Sequence, residues 1–122
     1  MDPELENALQ TDRLIDITTT GRKSGNHHRI EIAFHYIDGE VYISGMPGKR
    51  DWYANLMANP NFTFHLKQSI RRDLPATAYP IVDEEARRGL LVPITTKWGR
   101  LNQLDAFVDR SPLVKVDLED LE

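Results

Sequence analysis

Hydrophobic and polar positions alternate at period two through much of the chain. Ile30, Ile32, Phe34 and Tyr36 fall on one face of a segment whose other face carries Arg29, Glu31, Ala33 and His35, which predicts a strand from His28 to Tyr36. Leu14 to Thr20 predicts a strand before it, and Ile37-Asp38-Gly39-Glu40 carries the Asp-Gly signal of a tight hairpin into a third, Val41 to Ser44. These three make a meander. Asp51 is placed to cap a short helix that holds Trp52, Tyr53, Leu56 and Met57 and ends near Asn59-Pro60. Phe62, Phe64 and Leu66 then alternate with Thr63, His65 and Lys67 in a fourth strand.

A fifth strand, roughly Arg71 to Ile81, contains Pro75 and Pro80, which predicts a sheet edge or a bulge. Asp83 begins a helix with Glu84 and Glu85 ahead of Arg87 and Arg88, the order the helix dipole favours, and Pro93 is expected to end it. Leu101, Leu104, Phe107 and Val108 predict a second late helix. Ser111-Pro112 turns the chain into a last strand with Val114, Val116 and Leu118 on one face. Met1 to about Gln10 and Glu119 to Glu122 are expected to be frayed or weakly packed. About six short, mostly antiparallel strands with inserted helices and no βαβ alternation predict an α+β or small-barrel domain.

Composition narrows the function. The chain has 122 residues, 40% of them hydrophobic and 28% charged, which leaves room for one domain spanning residues 1–122. A formal charge of -4 argues against a general nucleic-acid binder, so any anion site must be local. No apolar run is long enough to cross a membrane, and the acidic start Met1-Asp2-Pro3-Glu4 lacks a signal-peptide pattern, so the expected location is the cytoplasm. The absence of cysteine excludes disulfides, thiolate catalysis and thiolate metal sites.

The local exception to the acidic balance is Thr18-Thr19-Thr20-Gly21-Arg22-Lys23-Ser24-Gly25, followed by His27, His28 and Arg29. Glycine lets backbone amides turn inward around an anion, and Arg22, Lys23 and Arg29 add charge and forked donors. The spacing is not that of a Walker A loop, because only Arg22, Lys23 and Ser24 separate the two glycines and Asn26 follows. A solvated basic hairpin turn is the competing reading.

The segments Thr18 to Gly25, His28-Arg29-Ile30-Glu31-Ile32 and Asp51-Trp52-Tyr53-Ala54-Asn55-Leu56-Met57-Ala58-Asn59-Pro60 together resemble the deazaflavin-dependent nitroreductase family. All three blocks occur in order, and the likeness extends over about Leu14 to Ile81. The resemblance implies a split β-barrel that binds the deazaflavin coenzyme F420, a hydride carrier with an anionic tail. It places the cofactor against Thr20, Gly21, Arg22, Lys23, Ser24, Gly25, Arg29 and Glu31, with the ring near Ser44, Gly45 and Gly48 and with Lys49 in reach of the tail. It implies an F420-dependent oxidoreductase that passes a hydride to a small apolar acceptor such as a quinone or a nitro or other activated unsaturated compound.

Departures from the family pattern bear on the substrate. The loop Gly45 to Asp51 is short, His27 stands where proline is usual and His28 where arginine is common, and Val92 to Phe107 holds Trp98 but no tyrosine. The alternatives are the same barrel holding FMN, or a non-catalytic carrier of deazaflavin, haem or a fatty acid. No catalytic group stands out. His35 is a candidate proton donor because imidazole titrates near neutrality, and Tyr42 is another; Tyr36 and Tyr42 are also candidates for lining a pocket.

Other groups have simpler readings. His28 points away from Glu31 and His35 on a strand and no third ligand is apparent, so no metal is expected. Arg29 and Glu31 share a face and are read as an ion pair or as contacts to the cofactor's linker, while Trp52 is read as core. Arg71 and Arg72 are expected on a solvated edge, and Asp105 and Asp109 have no evident partner. Exposed sheet edges would leave a homodimer open.

Overall fold

A computed structural model of the chain describes residues 2–119. Six strands, β1 (Leu14–Thr20), β2 (His27–Ile37), β3 (Glu40–Ser44), β4 (Asn61–Leu66), β5 (Arg72–Pro80) and β6 (Leu113–Leu118), close a barrel in the order β1-β2-β3-β6-β5-β4. Every neighbouring pair is antiparallel. This is the split β-barrel fold. The period-two residues fill its interior: Ile15, Ile17, Phe34, Ile43, Phe64, Leu66, Val114 and Val116 are all buried. Phe34 and Phe64 meet edge to face with centroids 5.7 Å apart, the geometry aromatic quadrupoles favour.

The N-terminus corrects the expectation of a frayed end. Residues Pro3–Thr11 form a helix, α1, that sets Leu5, Ala8 and Leu9 into the barrel core. Asp2 accepts a hydrogen bond from the Glu4 amide at 2.9 Å, and proline occupies the first turn, where its missing N–H costs nothing. Arg72 donates to Asp2 at 2.7 Å and to Glu4 at 3.1 Å, and the Tyr36 hydroxyl donates to Glu6 at 2.6 Å. At the other end the Glu119 amide donates to Pro75 at 2.9 Å; residues 120–122 of the end expected to fray lie outside the described residues.

The edge expected at Pro75 and Pro80 is also corrected, because β5 pairs on both sides. The Ala78 amide points to Pro60 in the β4 direction and the Ile81 amide to Leu113 in the β6 direction. By alternation the amide that Pro75 lacks would face the far end of β6, and the one Pro80 lacks would face beyond the start of β4. Neither proline removes an internal rung. With the barrel closed, the sheet-edge argument for a homodimer falls away, and Arg72 is engaged with α1 rather than lying on a solvated edge.

Two further helices, α3 (Glu84–Lys97) and α4 (Leu104–Arg110, entered through a 3-10 turn at Leu101–Gln103), cover part of the barrel exterior. Their contact is a second core of Leu91, Ile94, Phe107, Val108 and Leu113. Pro93 does not end α3. The carbonyl deprived of its partner belongs to Gly89, which is exposed to water, and burial of Leu91, Ile94 and Thr95 outweighs the lost bond. Asp105, expected to lack a partner, pairs with Arg88 at 3.0 Å, and Asp109 lies 3.8 Å from Arg110. No described helix is long and apolar enough to cross a membrane.

Candidate functional site

The basic turn and the remaining helix, α2 (Asp51–Ala58), meet at one buried side chain. Asn55 accepts hydrogen bonds from the Arg22 amide at 3.1 Å and from Arg22 Nη1 at 2.8 Å, and its Nδ2 lies 3.4 Å from Thr19 Oγ1. Asp51 does not cap α2, since Arg50 occupies the cap position; it faces Arg22 Nη2 at 3.4 Å instead. Two sequence motifs separated by about 30 residues are thus one structural unit.

The turn closes on itself. The Gly21 amide donates to Asn26 at 2.7 Å, and the Gly25 amide donates back to Gly21 at 2.9 Å with Gly25 at φ +74°. At Gly21 the side chains crowd in: a Cβ there would stand 2.7 Å from His28 Nε2 and 2.9 Å from Ser24 Oγ, and both would have to shift. The His28 ring therefore lies over the turn.

A cavity of about 580 Å³ opens at this junction. Thr19, Gly21, Arg22, Lys23 and Ser24 line it from the turn, His28 and Ile30 from β2, and Asp51, Trp52 and Asn55 from α2. Trp52 is core, as expected, yet also supplies wall, and Ile30, 37% exposed, is the facing apolar surface. Thr19 rather than Thr20 reaches the cavity because successive strand residues alternate sides. Among the described residues Lys23 has no carboxylate partner.

Arg29 and Glu31 do not belong to this cavity. Strand parity turns them outward, and the expected Arg29–Glu31 pair is replaced by cross-strand partners. Arg29 pairs with Asp16 at 2.9 Å, while Lys67 pairs with Asp16 at 2.6 Å and also with Glu31. The Lys67 hydrogen bond, and then Arg29, hold the Asp16 carboxyl below its ordinary range, while Asp16 and then Glu31 push the Lys67 ammonium up. On the same outer face Thr18 Oγ1 lies 2.7 Å from His65 Nε2, and His65 Nδ1 lies 2.7 Å from Asp73. The order resembles a nucleophilic triad. However, β1 is paired on both sides there, so no backbone N–H is left for an oxyanion, and the chain of bonds is a tie across three strands.

The residues expected around the ring are divided. The Ser44 hydroxyl is buried and donates to the Pro112 carbonyl at 2.7 Å, and Gly45 sits against Pro112 and Trp52. Gly48 and Lys49 line a second cavity of about 500 Å³ with Tyr53, Ile81, Val82, Arg87, Asp109, Arg110, Ser111 and Pro112. Trp52 on the first cavity and Tyr53 on the second meet edge to face, centroids 6.0 Å apart.

His35 and Tyr42 reach neither cavity. His35 packs edge to face on Trp98 at 5.1 Å, with Nε2 buried and unpartnered, and burial brings its pKa down to about 4. A neutral buried imidazole has no proton to give near pH 7, which removes the expected donor. Tyr42 packs into the second core, where burial raises the pKa of its hydroxyl, and Tyr36 is held by Glu6, which pushes its pKa up to about 12. Among the described residues no cluster of three or more His, Asp or Glu is arranged to hold a metal.

Sequence reasoning missed Ile30 as wall and Asn55 as the joint. The β2 parity that places His28 and Ile30 on one face was the available signal for the first.

The family model described as F420H(2)-dependent quinone reductase matches residues 3–119. Among solved structures, a conserved hypothetical protein of Mycobacterium tuberculosis superposes with TM-score 0.76 at 18% identity, covering 98% of this chain and 82% of that one. An F420-H2 dependent reductase, FDR-A, gives 0.60 at 22% identity over 88% of this chain and 94% of its own. HutZ, the haem storage protein of Vibrio cholerae, gives 0.73 at 14% identity over 98% and 91%. At these identities the structural likeness is one of fold.

Proposed function

The chain belongs to the F420H(2)-dependent quinone reductase family, and from that membership we propose that it is an oxidoreductase using reduced F420 to reduce a small, fairly apolar acceptor, a quinone or another activated unsaturated compound. The observation that carries this reading is the 580 Å³ cavity, which joins an anion-holding turn to an apolar wall. Lys23, with no carboxylate partner among the described residues, and the compact Gly21–Gly25 turn fit a group with an anionic tail. Ile30 and Trp52 fit its flat ring.

In this reading Arg22, Lys23, Ser24 and the Gly21–Gly25 turn hold the tail, with Asn55 fixing the direction of Arg22. Arg29 and Glu31 brace the barrel from outside. Gly48 and Lys49, on the second cavity, serve the acceptor side. F420, when bound and reduced, supplies a hydride; the protein's part is to bind, orient and exclude water. With His35 neutral and lining neither cavity, no protein group is assigned as proton donor. FMN remains the alternative cofactor, storage without turnover the alternative role, the cytoplasm the proposed location, and a homodimer the proposed assembly.

Titration with F420, FMN and haem, followed by oxidation of reduced cofactor against a quinone and a nitroaromatic, tests the reading. Selective F420 binding with quinone turnover is expected. Binding without turnover would convert the protein to a carrier, and preference for FMN or haem would overturn the cofactor. Arg22→Glu combined with Lys23→Glu should abolish measurable F420 binding with the fold intact; unchanged affinity would sink the tail assignment.

A further inference from the structure

We propose that His28 is an anion-contacting residue of the first cavity and makes its hold on a polyanion pH-dependent. Protonated, it is a second uncompensated cation beside Lys23; neutral, it leaves Lys23 alone. This rests on the reading of the cavity as an anion site, and adds to it a residue and a regulation.

Geometry places the ring there. His28 shares the inward parity of Ile30, and its Nε2 lies so close over Gly21 that a Cβ would meet it at 2.7 Å, with Ser24 Oγ alongside. The ring makes no hydrogen bond among the described residues, so its donors are unspent. The charged groups facing the cavity are Arg22 and Lys23 from the turn and Asp51 from α2, while β1 contributes only the uncharged Thr19. Asp51 lies 3.4 Å from Arg22 and offsets it, which leaves Lys23 as the fixed charge the ligand meets. His27, next in the strand, has the opposite parity and does not line the cavity.

Histidine is the side chain whose charge ordinarily changes between about pH 5 and 8. An anion bound against imidazolium stabilises the charged form, so by linkage its affinity must rise as pH falls. A neutral imidazole turns a lone pair as well as a donor toward the ligand, and the attraction is lost. A shift of one pKa unit in the ring on binding corresponds to about a tenfold change in affinity.

The test is calorimetric titration from about pH 8 to about pH 5.5, with F420 and separately with sulfate, whose charge is constant over that range. The proteins are the parent chain, His28→Asn and His28→Arg. The parent should bind F420 about tenfold more tightly at the acid end. His28→Asn should be flat and weak, and His28→Arg flat and tight. In parallel, the NMR titration midpoint of the His28 ring should rise when ligand is added.

A parent protein without pH dependence, or one whose dependence survives in His28→Asn, would overturn the proposal while leaving F420 binding intact. If F420 fails to bind at any pH but sulfate still binds with a His28-dependent slope, the residue assignment stands and the cofactor reading fails. If neither ligand binds, both fall.

Discussion

Two cavities of similar size are lined in part by arginine, and Arg22 in one and Arg87 in the other are used in opposite ways. In the cavity beside Gly48, Arg87 is buried and donates to four carbonyls: Val108 at 2.7 Å, Ile81 at 2.8 Å, Phe107 at 3.1 Å and Ser111 at 2.6 Å. It joins α3 to α4, to Ser111 in the turn that follows α4, and to Ile81 just after β5. In the cavity beside Gly21, Arg22 is pinned by one amide oxygen and faces one carboxylate, and Lys23 next to it is uncommitted. A cation beside a cavity marks a ligand site only when its donors are unspent. By that criterion Lys23 on the first cavity and Lys49 on the second are open to a ligand, whereas Arg87 is structure.

The largest effect expected from this contrast is at Arg87. Arg87→Met would leave four carbonyls short of a donor and should cost about 3 kcal/mol or more in urea unfolding. Arg87→Lys should recover part of it. A loss below about 1 kcal/mol would mean that the carbonyls find other partners and that the contrast is mistaken.

Acid stability probes the same covered side. The His35 pKa is about 4 in the folded protein, below the roughly 6.5 of a free imidazole, so the unfolded chain binds the extra proton first. Its contribution is complete above about pH 6.5 and is lost progressively as pH falls toward about 4. It amounts to at most about 3 kcal/mol. His35→Phe should flatten the stability profile over this window, and an unaltered slope would show that another group titrates.

At the turn the expected stability effects are smaller and the binding effects larger. Asn55→Ala removes the joint between turn and α2 and should cost about 1–2 kcal/mol, with a loss of F420 affinity. Retained affinity would separate the joint from the site. Lys23→Gln should change stability by less than about 0.5 kcal/mol, yet weaken F420 binding and reduce its salt dependence. An unchanged salt dependence would place the ligand elsewhere.

Much of the barrel was legible because alternation is a local property. Phe62, Phe64 and Leu66, or Val114 and Val116, declare a buried face without reference to any neighbour. The N-terminal helix was equally legible in Asp2-Pro3 and in the spacing of Leu5, Ala8 and Leu9, a signal outweighed by the expectation that chain ends fray. Pro93 misled because propensity counts the lost hydrogen bond and not the burial of Leu91 and Ile94 on either side of it.

The strands, the basic turn and the family could all be read from residues that lie close together in the chain. That His28 rather than Arg29 faces the cavity, that Asn55 binds the turn and that Arg87 is spent on carbonyls emerged only in the folded molecule. Those outcomes depend on which face closes inward and which donors find acceptors. Both are settled by barrel closure and by helices that arrive from distant positions in the chain.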